Sequence, residues 1–297
     1  MAVTVSGAAG APYAMLAYPD VGLGAQGCFS GLALCAGGRS LLGRHVRLYH
    51  IDPPGHGADA DADAGRSGAA APRYSLEDLA GDVADVCVHY GLSRDVLLLG
   101  AGAGAHVLAL YATAPATPRG AVLGGLFITP SATAAGWAEW GYGAALCAAL
   151  ATPIPALGGW QPWAVDAFLA RWFSARARGL VVRTDLARGA ARRLQEVAPA
   201  AAAAYLAAYG ARQDITARLS NFRGRALVVC GGACYAGGQA EALAFRAACS
   251  PARSVWLEAE GAGALVSEEN PAALLRPLHS FLQAVGVVDG SVPMPEV

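Results

Sequence analysis

Short apolar runs rich in Val, Leu and Ile alternate along this chain with longer amphipathic stretches. An apolar run of four to eight residues that ends at Gly, Pro or Asp is typical of a buried strand. Six brief runs are of this kind, and most of them stop at Gly, Pro or Asp: residues 14–18, 46–51, 96–100, 121–128, 226–230 and 254–258. Strands that alternate with helices build a mostly parallel sheet covered by helices, so the chain is predicted to have an α/β fold.

The clearest predicted helix covers residues 75–90. Apolar side chains recur there at intervals of three and four residues, while four acidic side chains lie at positions between them. Ser75 is predicted to cap its N-terminus, because Asp78 follows at the spacing of a capping box.

The alternation of strands and helices stops after Pro130, and no further strand is predicted before about Asn221. Within this segment one apolar helical face is predicted, formed by Val165, Phe168, Leu169, Trp172 and Phe173. We therefore predict one core made of residues 1–130 and 222–290, a helical cap at 131–221 and a short tail at 291–297.

Charge and targeting signals exclude several classes of protein. A formal net charge of -1 gives no general attraction to a phosphate backbone, so nucleic acid is not expected as a partner. The N-terminal segment lacks the basic and apolar regions of a signal peptide, and no apolar run is long enough to span a bilayer. The expected protein is soluble and cytoplasmic.

The seven cysteines are scattered and odd in number, without paired CxxC spacing. This pattern suggests neither a zinc site nor a disulfide framework. No metal or cofactor is implied.

A glycine turn separates the predicted strand 96–100 from an apolar helix. A nucleophile elbow has this setting, with small residues flanking a nucleophile on a strained turn. Gly100 and Gly104 supply the flanks, and Ala101 and Ala103 lie between them. The nucleophile position is Gly102, which has no side chain that could attack or be acylated.

Two further segments resemble parts of the α/β-hydrolase fold, and their catalytic positions are also empty. The loop Asp52-Pro53-Pro54-Gly55-His56-Gly57 resembles the D-x-x-G-x-G loop of hydrolases. Alignment on Glu269 and Pro271 places Ala264 where the catalytic histidine would stand. The turn after strand 226–230, which ends at Cys234, contains no carboxylate for the acid position.

Six segments carry a more specific pattern: residues 18–23, 28–29, 52–55, 100–105, 136–140 and 209–215. With them, residues 14–285 resemble the N-myc downstream-regulated (NDR) family, whose members have the α/β-hydrolase fold and are regarded as non-catalytic. Pro19 departs from the family, which usually has histidine there. The late start of the chain also leaves the first two strands of the fold in doubt. The resemblance implies a binding protein in signalling, linked to growth, differentiation or stress, with no catalytic residue carried over.

The residues expected around the vestigial pocket follow from these motifs. They are Asp20, Gly22, Asp52, His56, Gly100, Ala101, Ala103, Gly104, Trp137 and Trp140, beside the degenerate triad positions Gly102, Cys234 and Ala264. Of the six histidines, only His56 is expected near the pocket mouth. Because glycine and alanine at the triad positions would leave the pocket apolar, it could hold a small apolar ligand.

Two other functions remain open at this point. A hydrolase with a displaced nucleophile is the first, with Cys28, Ser30, Cys234 or Ser267 as the candidate. A dinucleotide-binding protein is the second, because Gly100-x-Gly102-x-x-Ala105 matches the fingerprint with alanine in third place. Residues 106–138 contain no carboxylate for the ribose, which weighs against this reading.

Arginines are concentrated in the predicted cap, at positions 171, 176, 178, 183, 188, 192 and 193. The simpler interpretation is a solvated face in a chain that has no lysine. The alternative is contact with an acidic partner or an anionic lipid surface. Residues 59–68 are expected to form a flexible acidic loop.

Overall fold

The structure is a computed structural model that describes residues 1–57, 73–118, 120–151, 160–179 and 182–295. Seven strands form one sheet in the order β1-β3-β2-β4-β5-β6-β7. Their bounds are β1 Ala2–Ser6, β2 Tyr13–Tyr18, β3 Val46–Asp52, β4 Val96–Ala101, β5 Val122–Ile128, β6 Arg225–Gly231 and β7 Ser254–Ala259. All neighbours pair in parallel except β1, which pairs antiparallel with β3 at the edge. The predicted α/β fold is confirmed, and the six predicted strands correspond to β2 through β7.

Helices connect and cover these strands. Their bounds are α1 Ala25–Leu34, α2 Ala36–His45, α3 Leu76–His89, α4 Ala103–Ala112, α5 Trp137–Ala151, α6 Pro162–Trp172, α7 Ala175–Arg178, α8 Asp185–Glu196, α9 Pro199–Gly210, α10 Thr216–Leu219, α11 Gly238–Ala248, α12 Val266–Glu269 and α13 Ala272–Ala284. Helix α3 packs on α4, and α2 packs on α13. Helices α3 and α4 thus form one group, and α2 and α13 form another. Right-handed crossovers explain this division, because strands added in opposite directions place their helices on opposite faces of the sheet.

Helix α3 begins where its sequence predicts. The Ser75 hydroxyl accepts from the backbone N–H of Asp78 at 3.1 Å, and the Asp78 carboxylate accepts from the backbone N–H of Ser75 at 2.8 Å. Each side chain therefore satisfies a donor that the helix leaves unpaired.

Between β5 and β6 the described residues contain helices α5 to α10 and no strand. We call residues 129–224 the insertion. Its predicted apolar face is buried, since Val165, Phe168, Leu169, Trp172 and Phe173 are each at most 2% exposed. The expected acidic loop at 59–68 lies outside the described residues.

The sheet order places a natural crevice between β2 and β4. The chain leaves β2 toward β3 and leaves β4 toward β5, in opposite directions along the sheet. Ligand sites in open α/β sheets lie beyond the carboxyl ends of strands at such a point. Asp20 follows β2 here and Gly102 follows β4.

Within the parts of the chain described, none of the helices combines the length and apolar character that crossing a bilayer requires.

Candidate functional site: a closed vestigial pocket

The turn after β4 has the strained backbone of a nucleophile elbow. Gly102 lies at φ +50° and ψ −117°, in a region that residues with a side chain rarely adopt. Its N–H donates to the carbonyl of Ile128 at 2.9 Å, and α4 begins at the next residue. The geometry of the elbow is therefore retained, although Gly102 offers no nucleophile.

The carboxylate of Asp20 occupies the space above this turn. Its Oδ1 accepts a hydrogen bond from the backbone N–H of Ala103 at 3.0 Å. A Cβ atom built on Gly102 would lie 2.2 Å from the same oxygen. In hydrolases of this fold, the N–H of the residue after the nucleophile stabilises the oxyanion. Asp20 thus blocks the place of a nucleophile and also uses an oxyanion donor.

Arg171 of α6 holds Asp20 in this position from the insertion. Its Nε donates to Asp20 Oδ2 at 3.1 Å, and Nη2 lies 3.5 Å from Oδ1. The guanidinium lies 5.2 Å from the ring centre of Tyr209 and 5.1 Å from that of Tyr235. Asp20 is 4% exposed, so water screens this ion pair weakly.

The other two predicted triad positions are Ala264 and Cys234. Ala264 lines the same small space as Gly102, and its carbonyl accepts from the Thr129 hydroxyl at 2.8 Å. Cys234 belongs to the turn after β6, where its thiol lies 3.5 Å from that of Cys230. Neither position supplies an imidazole or a carboxylate.

The space left between these residues has a volume of about 10 Å³. Its lining consists of Asp20, Ala101, Gly102, Thr129, Arg171, Tyr235, Ala264 and Leu265. About one water molecule fits into a cavity of this size. The expected small apolar ligand does not fit there, because the Asp20–Arg171 pair fills the region that the missing triad side chains would have left open.

Gly22, Asp52 and His56 have structural contacts instead of lining this space. Gly22 lies at φ +81°, and a Cβ there would come within 3.1 Å of both Leu194 and Phe168 of the insertion. Asp52 Oδ1 accepts from the first N–H of α1, that of Ala25, at 2.6 Å.

His56 packs edge-on against Tyr205 of α9, with ring centres 5.6 Å apart. It is 5% exposed, and burial lowers its pKa to about 4. The structure therefore places His56 beneath the insertion instead of at a pocket mouth.

The remaining glycines of the elbow allow close packing. A Cβ on Gly100 would lie 2.6 Å from the Cα of Ala105, and one on Gly104 would lie 2.3 Å from the carbonyl oxygen of Tyr18. Helix α4 can therefore pack directly on β4 and β2. The dinucleotide interpretation loses its basis, because an internal carboxylate occupies the N-terminus of α4, where a pyrophosphate would bind.

Trp137 and Trp140 lie in the first turn of α5. Their side chains are outside the described part of the structure. The neighbouring Glu139 forms a bidentate ion pair with Arg212, with N–O distances of 2.7 and 2.9 Å. Arg212 also stacks on Tyr209, 4.1 Å from its ring centre. This pair links residues 136–140 to residues 209–215, the two segments that sequence analysis singled out within the insertion.

The proposed displaced nucleophiles contact structural partners. Ser267 donates to the carbonyl of Cys28 at 2.7 Å, and Ser30 donates to Glu268 at 3.2 Å. Cys28 is fully buried, and its burial raises the pKa of the thiol. None of these hydroxyl or thiol groups has a hydrogen bond to a histidine among the described contacts.

Among the described contacts, a serine–histidine pair occurs at the β1 edge of the sheet. Ser6 of β1 lies 2.8 Å from Nε2 of His50 on β3. Nδ1 of His50 is buried and has no hydrogen-bond partner in the described structure, so no carboxylate orients this ring. Strand β2 lies between β3, which carries His50, and the elbow strand β4. The pair therefore lacks the arrangement of a catalytic triad.

The sequence pattern predicts Arg171 on a solvated arginine-rich face or on a surface for an anionic partner, and it gives no role to Tyr235. The structure instead pairs the Arg171 guanidinium with the buried Asp20. A signal for Arg171 existed, because it follows Phe168 by three residues and therefore borders the apolar face of α6. An arginine in such a place requires an acidic or aromatic partner. The identity of that partner, 151 residues away along the chain, could not be inferred from spacing.

Comparisons with known proteins agree with this picture of the fold. The profile of the Ndr family matches residues 1–289. Protein NDL3 of Arabidopsis thaliana is 32% identical over 276 residues, covering 92% of this chain and 75% of that protein. Protein NDRG2 of Bos taurus is 37% identical over 128 residues, covering 43% of this chain and 33% of that protein.

Solved structures with a similar fold include an esterase and a lactonase. A thermophilic esterase from Thermogutta terrifontis superposes with a TM-score of 0.75 at 18% identity, covering 96% of this chain and 93% of that one. An enol-lactonase from Burkholderia xenovorans has a TM-score of 0.71 at 20% identity, covering 95% of this chain and 96% of that one. These similarities establish the α/β-hydrolase fold.

Proposed function

This chain belongs to the Ndr family, and from that membership we propose that it acts by binding, as a non-enzymatic signalling protein built on the α/β-hydrolase fold. The resemblance associates this role with growth, differentiation or stress responses in the cytoplasm. The proposal has its main physical support at the elbow, where a hydrolase would carry out its chemistry.

The observation that carries the proposal is the contact between Asp20 and the N–H of Ala103, 3.0 Å long. Acyl transfer requires that donor for the developing oxyanion, and a fixed carboxylate there repels a second negative charge. The same carboxylate excludes a side chain at Gly102. Restoring one missing side chain therefore does not restore a site.

A matched pair of variants tests this proposal, Gly102→Ser and Gly102→Ala. Both add a Cβ atom, and only serine adds a nucleophile. After circular dichroism has shown that both fold, each is treated with a fluorophosphonate and assayed with an activated ester. We expect neither variant to form an adduct or to hydrolyse the ester.

Adduct formation and turnover by Gly102→Ser alone would show an open oxyanion site that lacks only its nucleophile. If either variant fails to fold, the wild-type protein is tested with the same two reagents. Stoichiometric labelling accompanied by loss of ester turnover would then contradict the proposal.

A binding role also predicts a specific partner. In-cell crosslinking followed by affinity purification from the source cell should recover at least one protein in a constant ratio to this chain. Recovery of the chain alone, together with ester turnover by the purified protein, would favour the hydrolase alternative.

The acidic-partner and lipid proposals for the arginine-rich insertion have weaker support. Arg183 pairs with Asp166, Arg188 with Asp185, and Arg193 with Glu268. Arg171 pairs with Asp20, so internal carboxylates already balance much of this positive charge. Binding to acidic liposomes that weakens with salt would support the lipid version, and absent or salt-independent binding would remove it.

A further inference from the structure

Two cysteines lie side by side at the carboxyl end of β6. Cys230 is near the end of that strand, and Cys234 follows in a turn closed by its own N–H, which donates to the carbonyl of Gly231 at 3.2 Å. Their sulfur atoms are 3.5 Å apart. Since a disulfide bond is about 2.05 Å long, the sulfurs need to approach by roughly 1.5 Å to form one. A small movement of a four-residue turn can supply this distance.

The two thiols have different environments. Cys230 is fully buried, and the Thr129 hydroxyl lies 3.8 Å from its sulfur. Cys234 is half-buried and lies beside the N-terminus of α11, where a Cβ on Gly238 would be 3.3 Å from its sulfur. A helix N-terminus favours a thiolate at Cys234.

The hydrogen bond from Cys230 is the main cause that lowers the pKa of the Cys234 thiol to about 7. The backbone N–H of Gln239 adds to this effect, while burial opposes it. The same hydrogen bond raises the pKa of Cys230. Cys234 is therefore suited to be the attacking thiolate and Cys230 the resolving thiol.

We propose that Cys230 and Cys234 form a modification site, a dithiol that a peroxide converts to an intramolecular disulfide. The Cys234 thiolate attacks one peroxide oxygen, the O–O bond breaks, and the sulfur is oxidised to a sulfenic acid while hydroxide leaves. The Cys230 sulfur then attacks the Cys234 sulfur, its proton leaves with the sulfenic oxygen as water, and the S–S bond forms. Overall, two thiols and hydrogen peroxide give one disulfide and two water molecules.

This site lies next to the closed pocket. Tyr235 follows Cys234 directly, and its ring stacks on Arg171, which holds Asp20. Closing the disulfide shifts the turn and the start of Tyr235. Oxidation therefore acts on the contact between the β6 turn and the insertion. The proposed oxidation does not depend on the proposed binding function.

The other cysteines serve as internal references. Cys28, Cys87 and Cys249 are buried, and Cys35 and Cys147 are half-buried. The Cys35 thiol donates to the carbonyl of Leu32 at 3.2 Å, and that of Cys147 donates to Ala203 at 3.5 Å. Cys35 is thus an accessible thiol without a neighbouring sulfur among its described contacts.

The test treats the full chain with hydrogen peroxide, alkylates the remaining thiols and digests with trypsin. No arginine or lysine lies between Arg225 and Arg246, so one peptide, 226–246, carries both cysteines. We expect this peptide to lose two hydrogens and both alkylation sites, and to recover them with dithiothreitol. Because the thiolate is the reactive form, this loss should be about tenfold faster than oxidation of Cys35.

Two variants complete the test. In Cys230→Ser, dimedone should trap a sulfenic acid at Cys234, since no resolving thiol is left, while Cys35→Ser should form the disulfide as wild type does. Oxidation of wild-type Cys234 to the sulfinic acid without a disulfide would overturn the proposal. Equal or faster oxidation of Cys35 would overturn it as well. If Cys230→Ser fails to fold, the wild-type peptide decides the question.

Discussion

At the scale of single residues, one side chain, that of Asp20, closes the site. Asp20 Oδ1 lies where a Cβ at position 102 would have to be, and it takes the Ala103 N–H that an oxyanion would use. A missing nucleophile and an occupied oxyanion donor are therefore one structural feature. The sequence shows that Gly102 has no side chain. It does not show that the Asp20 carboxylate occupies the space where such a side chain would lie.

The collision at Gly102 can be measured as a loss of stability. Gly102→Ala adds a Cβ in close conflict with Asp20 and at a positive φ, and we expect it to lower the free energy of unfolding by about 2–4 kcal/mol. Gly91→Ala is the control, because Gly91 lies at φ +68° with open space around it. Urea denaturation of both variants separates collision from backbone strain. Equal losses would contradict the tight contact with Asp20.

The buried His106 predicts a pH dependence of stability. One ring nitrogen, Nδ1, bonds to the carbonyl of Ser131 at 2.9 Å, and burial lowers the pKa of this histidine to about 4 from 6.5. The unfolded chain binds this proton more tightly than the folded chain does. Neutral His106 therefore contributes about 3 kcal/mol to the free energy of unfolding, fully present above pH 6.5 and lost as the pH falls toward 4.

His106→Asn keeps a donor for Ser131 and removes the titration. Its unfolding midpoint in urea should therefore change less than that of wild type between pH 6.5 and 4. His89→Asn, at an exposed position, should retain the wild-type dependence. A His106→Asn curve parallel to that of wild type would contradict the assignment.

At the scale of elements, the pair Arg171–Asp20 connects α6 to the loop after β2. Removing one partner of a buried pair leaves an unpaired charge, so Arg171→Met should cost about 3–5 kcal/mol of unfolding free energy. Arg183→Met breaks the exposed pair with Asp166 and should cost less than about 1 kcal/mol. Thermal denaturation compares them. Similar small losses would show that Arg171 does not hold the insertion on the core.

The N-cap of α3 is a second element whose contribution can be measured. Ser75→Ala removes the acceptor for the Asp78 N–H and should cost about 1 kcal/mol in urea denaturation. Ser93→Ala, in the loop that follows α3, should change the free energy of unfolding by less than about 0.5 kcal/mol. Equal effects would contradict the capping role.

Local patterns were enough to predict six strands and the start of α3, because period, turn residues and capping act over a few positions. Strand β1 was missed. Its five residues are partly exposed, and it becomes a strand by pairing with β3, more than 40 residues later in the chain. The pairing of Glu139 with Arg212 was hidden for the same reason, although both of its segments were recognised as unusual.

At the scale of the whole molecule, the candidate site is assembled from six separate segments. The carboxyl ends of β2, β4, β5, β6 and β7, with the loops that follow them, and the helix α6 each contribute to the space of about 10 Å³ at its centre. Three predicted triad positions without reactive side chains could be located in these loops from the sequence. The closed pocket could not be predicted, because the closing pair joins residues 151 positions apart, a distance over which no periodicity carries information.

The most direct measurement is made on the unaltered protein. Intact-mass spectrometry after exposure to a fluorophosphonate, combined with hydrolysis of a short-chain activated ester, reports on both nucleophile and oxyanion site. A closed site predicts an unchanged mass and ester hydrolysis no faster than that of the heat-denatured protein. A single stoichiometric adduct, with turnover that disappears as the adduct forms, would contradict the account.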